Sequence, residues 1–311
     1  MSALADLEDL TLPRPAWFER ALEVPRKSEH VEVEGCPIHA LSWGEPGKPG
    51  LLFVHGFLAH ARCFAFIAPF LAEEHHVVAC DLSGFGDSGY RDSYADGVRA
   101  RELRALADHF GMQRPTFVAH SYGATVAMDA LERFPEAFAG LVLCDVLMMR
   151  PEPLLAFRKR SAITAKQRKP PPRRVYPDLA AGMERFRLAP PQPVEEPYLF
   201  EYLARHSLEP CEGGWTWKFH PSSFALDARD DTFWLEQPER FVRLAHRKVA
   251  IYGERSLLFN RHTVAYLREL GGTGIPMLGV PEAGHHLMLD QPLAFVTAIR
   301  AALTLLGGVP A

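Results

Sequence analysis

Apolar residues alternate along this chain between two rhythms. The stretches 51–54, 77–80, 141–144 and 249–252 are apolar at every position, as in strands covered on both faces. The shorter runs 115–118 and 277–280 read as two more strands. Between them, 95–110 and 124–133 space their apolar residues as helices do, and the aromatic stretch 63–72 reads as a third helix. Strand and helix in alternation predict an α/β fold, a mostly parallel sheet with helices on both faces and reactive loops at the carboxyl ends of the strands. Near the start, 30–34 and 38–43 flank Gly35-Cys36-Pro37 and predict an antiparallel hairpin. The alternation stops after Asp145 and resumes at Lys248. The chain therefore divides into a core over 1–145, an inserted and largely helical unit over 146–245, and the rest of the core over 246–311.

Composition narrows the class. The 311 residues are 48% hydrophobic and 23% charged, enough for one large core and an insert. A net charge of -4 offers no footprint for nucleic acid. No run reaches the ~18 apolar residues of a membrane span, and the acidic start from Met1 to Asp9 is unlike a signal peptide, so a cytoplasmic protein is expected. The five cysteines, at 36, 63, 80, 144 and 211, read as buried free thiols. No zinc spacing and no phosphate-loop or dinucleotide fingerprint is present. Neither a metal nor a cofactor is expected, and the partner is a small-molecule substrate. Arg99, Arg101 and Arg104 read as the solvated face of the 95–110 helix.

The chemistry concentrates at Ala119-His120-Ser121-Tyr122-Gly123, between an apolar strand and a helix. Small residues two before and two after a serine permit a sharp strand-to-helix turn, and the first helical turn aims N–H groups at a developing oxyanion. This is the G-x-S-x-G elbow with alanine in the first glycine position. By itself it also suits a serine that merely caps a helix.

Together with four further segments, the elbow resembles the α/β-hydrolase superfamily outside 146–245. Leu51-Leu52-Phe53-Val54-His55-Gly56-Phe57 is similar to the family's third strand and its His-Gly turn. By that resemblance the backbone N–H groups of Phe57 and Tyr122 form the oxyanion hole. Leu82-Ser83-Gly84-Phe85-Gly86-Asp87-Ser88 resembles the glycine-rich loop after strand four, and Pro281-Glu282-Ala283-Gly284-His285-His286 the loop carrying the catalytic histidine. His285 matches, with His286 a neighbour pointing elsewhere. In most of the family the acid stands in a Gly-Glu-x-Asp type turn; here Gly253-Glu254-Arg255-Ser256 puts serine in its place. Serine cannot carry the charge that stabilises an imidazolium. Asp145, directly after the 141–144 strand, is where some branches carry the acid, and it is the choice here, with Glu254 as the fallback.

The resemblance then implies a serine hydrolase working through an acyl-enzyme on Ser121, with His285 as general base and acid and Asp145 orienting it. A hydroxyl nucleophile argues against the dehalogenases and epoxide hydrolases of this fold, which attack with a carboxylate. Carboxylic esters lead among the substrates. Two other readings stay open: a carbon-carbon hydrolase acting on a vinylogous diketone, and a non-catalytic ligand-binding protein.

The insert is expected to cap the site. Its basic residues Arg158, Lys159, Arg160, Lys166, Arg168 and Lys169, with Pro170-Pro171-Pro172-Arg173-Arg174, read as an exposed helix and a rigid connector, in preference to an attractor of anions. Trp215, Trp217 and Phe219 alternate along an apparent strand and suit either core or pocket wall. Met148 and Trp217 are the expected substrate-binding residues. Apolar surface on the cap could serve a homodimer.

Overall fold

The computed structural model describes residues 7, 10–95, 97–160, 173–221 and 230–307. The predicted hairpin is β1 (Lys27–Val33) and β2 (Cys36–Trp43), paired antiparallel from Lys27↔Ser42 to Val33↔Cys36. The fully apolar runs become β3 (Gly50–Val54), β4 (His76–Cys80), β5 (Thr116–His120), β6 (Gly140–Cys144) and β9 (Arg247–Gly253). With β10 (Met277–Val280) they form one eight-stranded sheet in the order β1-β2-β4-β3-β5-β6-β9-β10. Every pairing from β4 to β10 is parallel, and β2 joins β4 antiparallel.

Because successive side chains of a strand point to opposite faces, each central strand feeds two cores. Leu51, Phe53, Val118, Val142 and Val249 pack on one face with α1 (Ala16–Glu23) and α10 (Pro292–Gly307). Leu52, Val54, Phe117, Ala119, Leu141 and Leu143 pack on the other with α2 (Val98–His109) and α3 (Tyr122–Arg133). The layering is that of a three-layer α/β protein. Among the described residues no helix is long and apolar enough to cross a membrane.

The segment after β6 carries α4 (Pro151–Arg160), α5 (Leu179–Met183), α6 (Pro197–His206) and α7 (Asp231–Arg243). It also holds a hairpin of β7 (Leu208–Cys211) and β8 (Gly214–Trp217). Two sets of contacts join this segment to the sheet domain. Tyr198 and Tyr202 of α6 meet Phe18 edge-on, with ring centroids 5.1 and 5.6 Å away, and the Glu201 carboxylate accepts from both N–H and hydroxyl of Thr11 and from the N–H of Leu12. At the other end, His220 N–H donates to the Gly84 carbonyl and Lys218 pairs with Asp87, tying the hairpin to the glycine-rich loop.

Three sequence expectations are corrected. The stretch 63–72 is not an α-helix: it forms two short 3-10 turns, Ala61–Phe64 and Ala68–Leu71, apolar on all sides and with Pro69 at the start of the second. Arg99 is not solvated. It is 4% exposed, donates to the Tyr122 hydroxyl and the Ser83 carbonyl, and lies over the rings of Phe85, Tyr94 and Tyr122. Arg101 and Arg104 do lie at the surface, paired with Glu34 and Asp108. Nor is α4 simply exposed, since Leu154 is fully buried and Arg158 packs beneath the surface against Asp231. Lys166, Arg168, Lys169 and Pro170 to Pro172 lie outside the described residues.

Candidate active site

The chain leaves the centre of the sheet on β5 and reverses at Ser121, whose φ of 52° lies in the half of conformational space that side chains rarely enter. Hydrogen bonds hold the turn: Ser121 N–H donates to the Cys144 carbonyl and Ala124 N–H to the Ser121 carbonyl, each at 2.9 Å. The small residues of the elbow have a steric reason. A Cβ on Gly123 would lie 2.5 Å from the carbonyl oxygens of Val54 and His55, and one on Gly56 would lie 3.1 Å from Ser121 Cβ. Ala119 is fully buried in the core on the α3 side.

Three strand ends deliver the polar groups. His285, in the loop after β10, faces Ser121 Oγ with Nε2 at 3.0 Å and Asp145 Oδ1 with Nδ1 at 2.7 Å. Asp145 follows β6, its N–H still donating to the Ile251 carbonyl, and its own φ of 43° is positive. With Nδ1–H donating to a carboxylate, the bare Nε2 is left to accept from the serine hydroxyl.

Ser256 lies where the commoner acid would be, and the structure gives it a task. Its hydroxyl donates to Asp145 Oδ1 at 2.7 Å while its oxygen accepts from the N–H groups of Leu258 and Phe259. Gly253 N–H donates to Asp145 Oδ2 at 2.9 Å. The carboxylate thus has a backbone, a hydroxyl and an imidazole donor. Burial pushes its pKa up, against the pull of Gly253 and Ser256. Burial also drives the His285 imidazole down to about 3, which keeps it neutral and proton-accepting. Glu254, the fallback acid, is exposed, and Asp145 holds the position facing Nδ1.

Phe57 lies in the turn after β3, and Tyr122 follows Ser121 as the first residue of α3. His55 sets the first turn, with Nε2 accepting from Leu82 N–H and Nδ1 donating to the Gly56 carbonyl. Sequence reasoning passed over His120, although it adjoins the nucleophile. It is buried, and its Nε2 donates to the His285 carbonyl at 2.9 Å, fixing the histidine loop to β5. His286 turns away as expected, with Nε2 on the Pro190 carbonyl. His120, His285 and His286 have ring nitrogens within 4.8 Å of one another, as do the donor atoms of His39, Asp81 and Asp87. In the first group each ring already uses a nitrogen in the hydrogen bonds just given.

Of the two expected pocket residues, Trp217 is half-buried and lines cavities on both sides of β8. Met148 is a correction: it is fully buried in the core on the α3 side, together with Val146 and Phe259. Phe219 stacks on Trp217 at 6.1 Å and bridges to Phe85, and Trp215 exchanges backbone hydrogen bonds with Tyr176.

A mostly parallel sheet with a strained serine at one strand-to-helix turn and a histidine after the last strand defines the α/β-hydrolase class. Residues 51–298 match the model of the Alpha/beta hydrolase family, and the chain belongs to that family. It is 28% identical to the uncharacterized hydrolase YugF of Bacillus subtilis over 36% of this chain and 41% of that protein. It is 27% identical to epoxide hydrolase 1 of Caenorhabditis elegans over 43% of this chain and 32% of that one. Each of these matches spans less than half the length of the relative. Among solved structures, E-2-(acetamidomethylene)succinate hydrolase superposes with a TM-score of 0.75 over 90% of this chain and 99% of that one; at 20% identity the likeness is one of fold.

Proposed function

We propose that the protein is a serine hydrolase that cleaves a carboxylic ester or related acyl substrate through an acyl-enzyme on Ser121. The observation that carries this reading is the unbroken hydrogen-bonded chain from Ser121 Oγ through His285 to Asp145, at 3.0 and 2.7 Å. Ser121 Oγ attacks the acyl carbon and its proton passes to His285 Nε2. The carbonyl oxygen takes the negative charge and is held by the N–H groups of Phe57 and Tyr122. As the tetrahedral adduct collapses, the bond to the leaving group breaks and His285 returns the proton to it. Water then attacks the acyl-enzyme while His285 accepts its proton; as the second adduct collapses, the bond to Ser121 Oγ breaks, His285 returns the proton to Oγ and the acid departs. Asp145, held by the Gly253 N–H and the Ser256 hydroxyl, orients His285 through Nδ1 and stabilises the imidazolium as it forms. Residues 146–245 serve in this reading as a cap between the two parts of the core, 1–145 and 246–311. A protein that only binds a ligand needs neither the strained serine nor the imidazole aimed at it.

The test is turnover of short-chain p-nitrophenyl esters by the wild type, Ser121→Ala and Asp145→Asn. Activity should fall by about 10^6-fold in kcat for Ser121→Ala and about 10^4-fold for Asp145→Asn. Equal activity of Ser121→Ala and wild type would sink the proposal.

A further inference from the structure

A cavity of about 470 Å³ lies beside the oxyanion turn, walled by Leu58, Phe186, Trp217 and Phe219. Leu58 is two residues beyond Gly56, which lies against Ser121, so the cavity begins about 7 Å along the backbone from that contact. Its size is that of a small-molecule site.

The charge around it is one-sided. Arg173, Arg174, Arg185 and Arg187 line the cavity, and among the described residues no aspartate or glutamate does. The neighbouring cavity across β8 shares Arg173, Trp217 and Phe219 but includes Asp87 and Glu209 among its walls. Arg173 is engaged by Glu209 and Thr216, and Arg187 is held by the carbonyls of Glu184 and Phe186. The guanidinium groups of Arg174 and Arg185 have no carboxylate partner among the described residues. In a chain of net charge -4, four arginines gathered around one aromatic cavity, with no acid among its described lining residues, form a local field that favours an anion. A guanidinium offers a planar donor fork suited to carboxylate and phosphate alike.

We propose that the acyl substrate carries an oxyanion, carboxylate or phosphate, remote from its scissile bond, seated against Arg174 and Arg185 with its apolar portion on Phe186 and Trp217. The proposal rests on the reading of Ser121 as nucleophile. It gives the cap a selective task, since a neutral substrate of the same length gains nothing from the arginines.

The experiment compares kcat/KM for matched pairs on the full chain: mono-p-nitrophenyl adipate against its methyl ester, and acetyl-phosphopantetheine against acetyl-pantetheine. At low salt the anionic member of at least one pair should be preferred about tenfold or more, and the pair that shows it identifies the oxyanion. In Arg174→Gln/Arg185→Gln the ratio should fall toward one, as it should for the wild type in 0.5 M salt, a concentration set by the ~4 Å screening length it gives. Equal rates within both pairs, with turnover lost in Ser121→Ala, would overturn the anion proposal and leave the catalytic reading standing. Should no pair be turned over, binding of monomethyl adipate and of phosphopantetheine to Ser121→Ala, followed by tryptophan fluorescence, decides the matter. Binding that weakens at least tenfold in the arginine variant supports the anion site, and binding unaffected by those changes or absent rejects it.

Discussion

The exchange of roles between Ser256 and Asp145 depends on a few atoms. In the proposed triad the acid stands at the end of β6 in place of the turn after β9, and Ser256 in that turn donates a hydrogen bond to it. Ser256→Ala should therefore lower kcat by about tenfold with little change in KM, the cost of about 1.4 kcal/mol for one lost donor to a buried charge. Steady-state kinetics with a neutral ester would check this, and an unchanged kcat would mean that Gly253 N–H and His285 suffice to hold the carboxylate. The elbow serine and the histidine loop were legible in the sequence, because their spacing records a backbone constraint. The acid was legible only as a choice between Asp145 and Glu254, since a parallel sheet brings both strand ends to one rim. The burial of Arg99 was not legible at all. Helical periodicity places it beside Arg101 and Arg104, and only the fold brings the rings of Tyr94 and Tyr122 over it.

Strands were the elements most plainly written in the sequence. A run of four apolar residues flanked by turns has few alternatives in an α/β chain, and β10 falls on the expected residues. The stretch 63–72 misled because its apolar residues, continuous and mostly buried, mark no face and therefore no period. The insert was legible as an interruption but not in how it attaches. Its fastening is α6, and Tyr202, fully buried against Phe18 and Phe66, is the centre of that contact. Tyr202→Ala should destabilise by about 3–5 kcal/mol, as large aromatic truncations in cores do. Glu201→Ala, which removes the acceptor for Thr11 and Leu12, should cost about 1–3 kcal/mol. Urea midpoints for both variants would test this. A Tyr202→Ala midpoint equal to that of the wild type would mean that α6 rests on the core without being fastened to it.

The molecule as a whole holds an unusual number of histidines away from water. Burial lowers the pKa of His55, His206 and His286, and takes His60 to about 4 and His120 and His285 to about 3. Each stays neutral in the folded protein at pH values where the unfolded chain, with an ordinary pKa of about 6.5, takes up a proton. Their contribution to stability is therefore complete above about pH 6.5 and is progressively lost as the pH falls below it. Several such groups together, in a fold of marginal stability, predict that stability declines as the pH falls below about 6.5. Near-UV circular dichroism and urea midpoints from pH 7.5 to 4.5 would reveal it, and a flat stability across that range would contradict the burial of these rings. Because His285 stays neutral below pH 6.5 in the folded state, activity should persist on acidification until the fold itself gives way.

The route of the chain through the site has a further consequence for how the protein is made. Ser121 and Asp145 follow adjacent strands, whereas their histidine comes 140 residues after the acid. On a ribosome the elbow and Asp145 emerge together, and the insert follows before His285 can reach them. The growing chain thus carries a serine without its base until β9, β10 and the loop between Val280 and His285 have joined the sheet. The newborn protein acquires its chemistry last, when the C-terminal strands are in place.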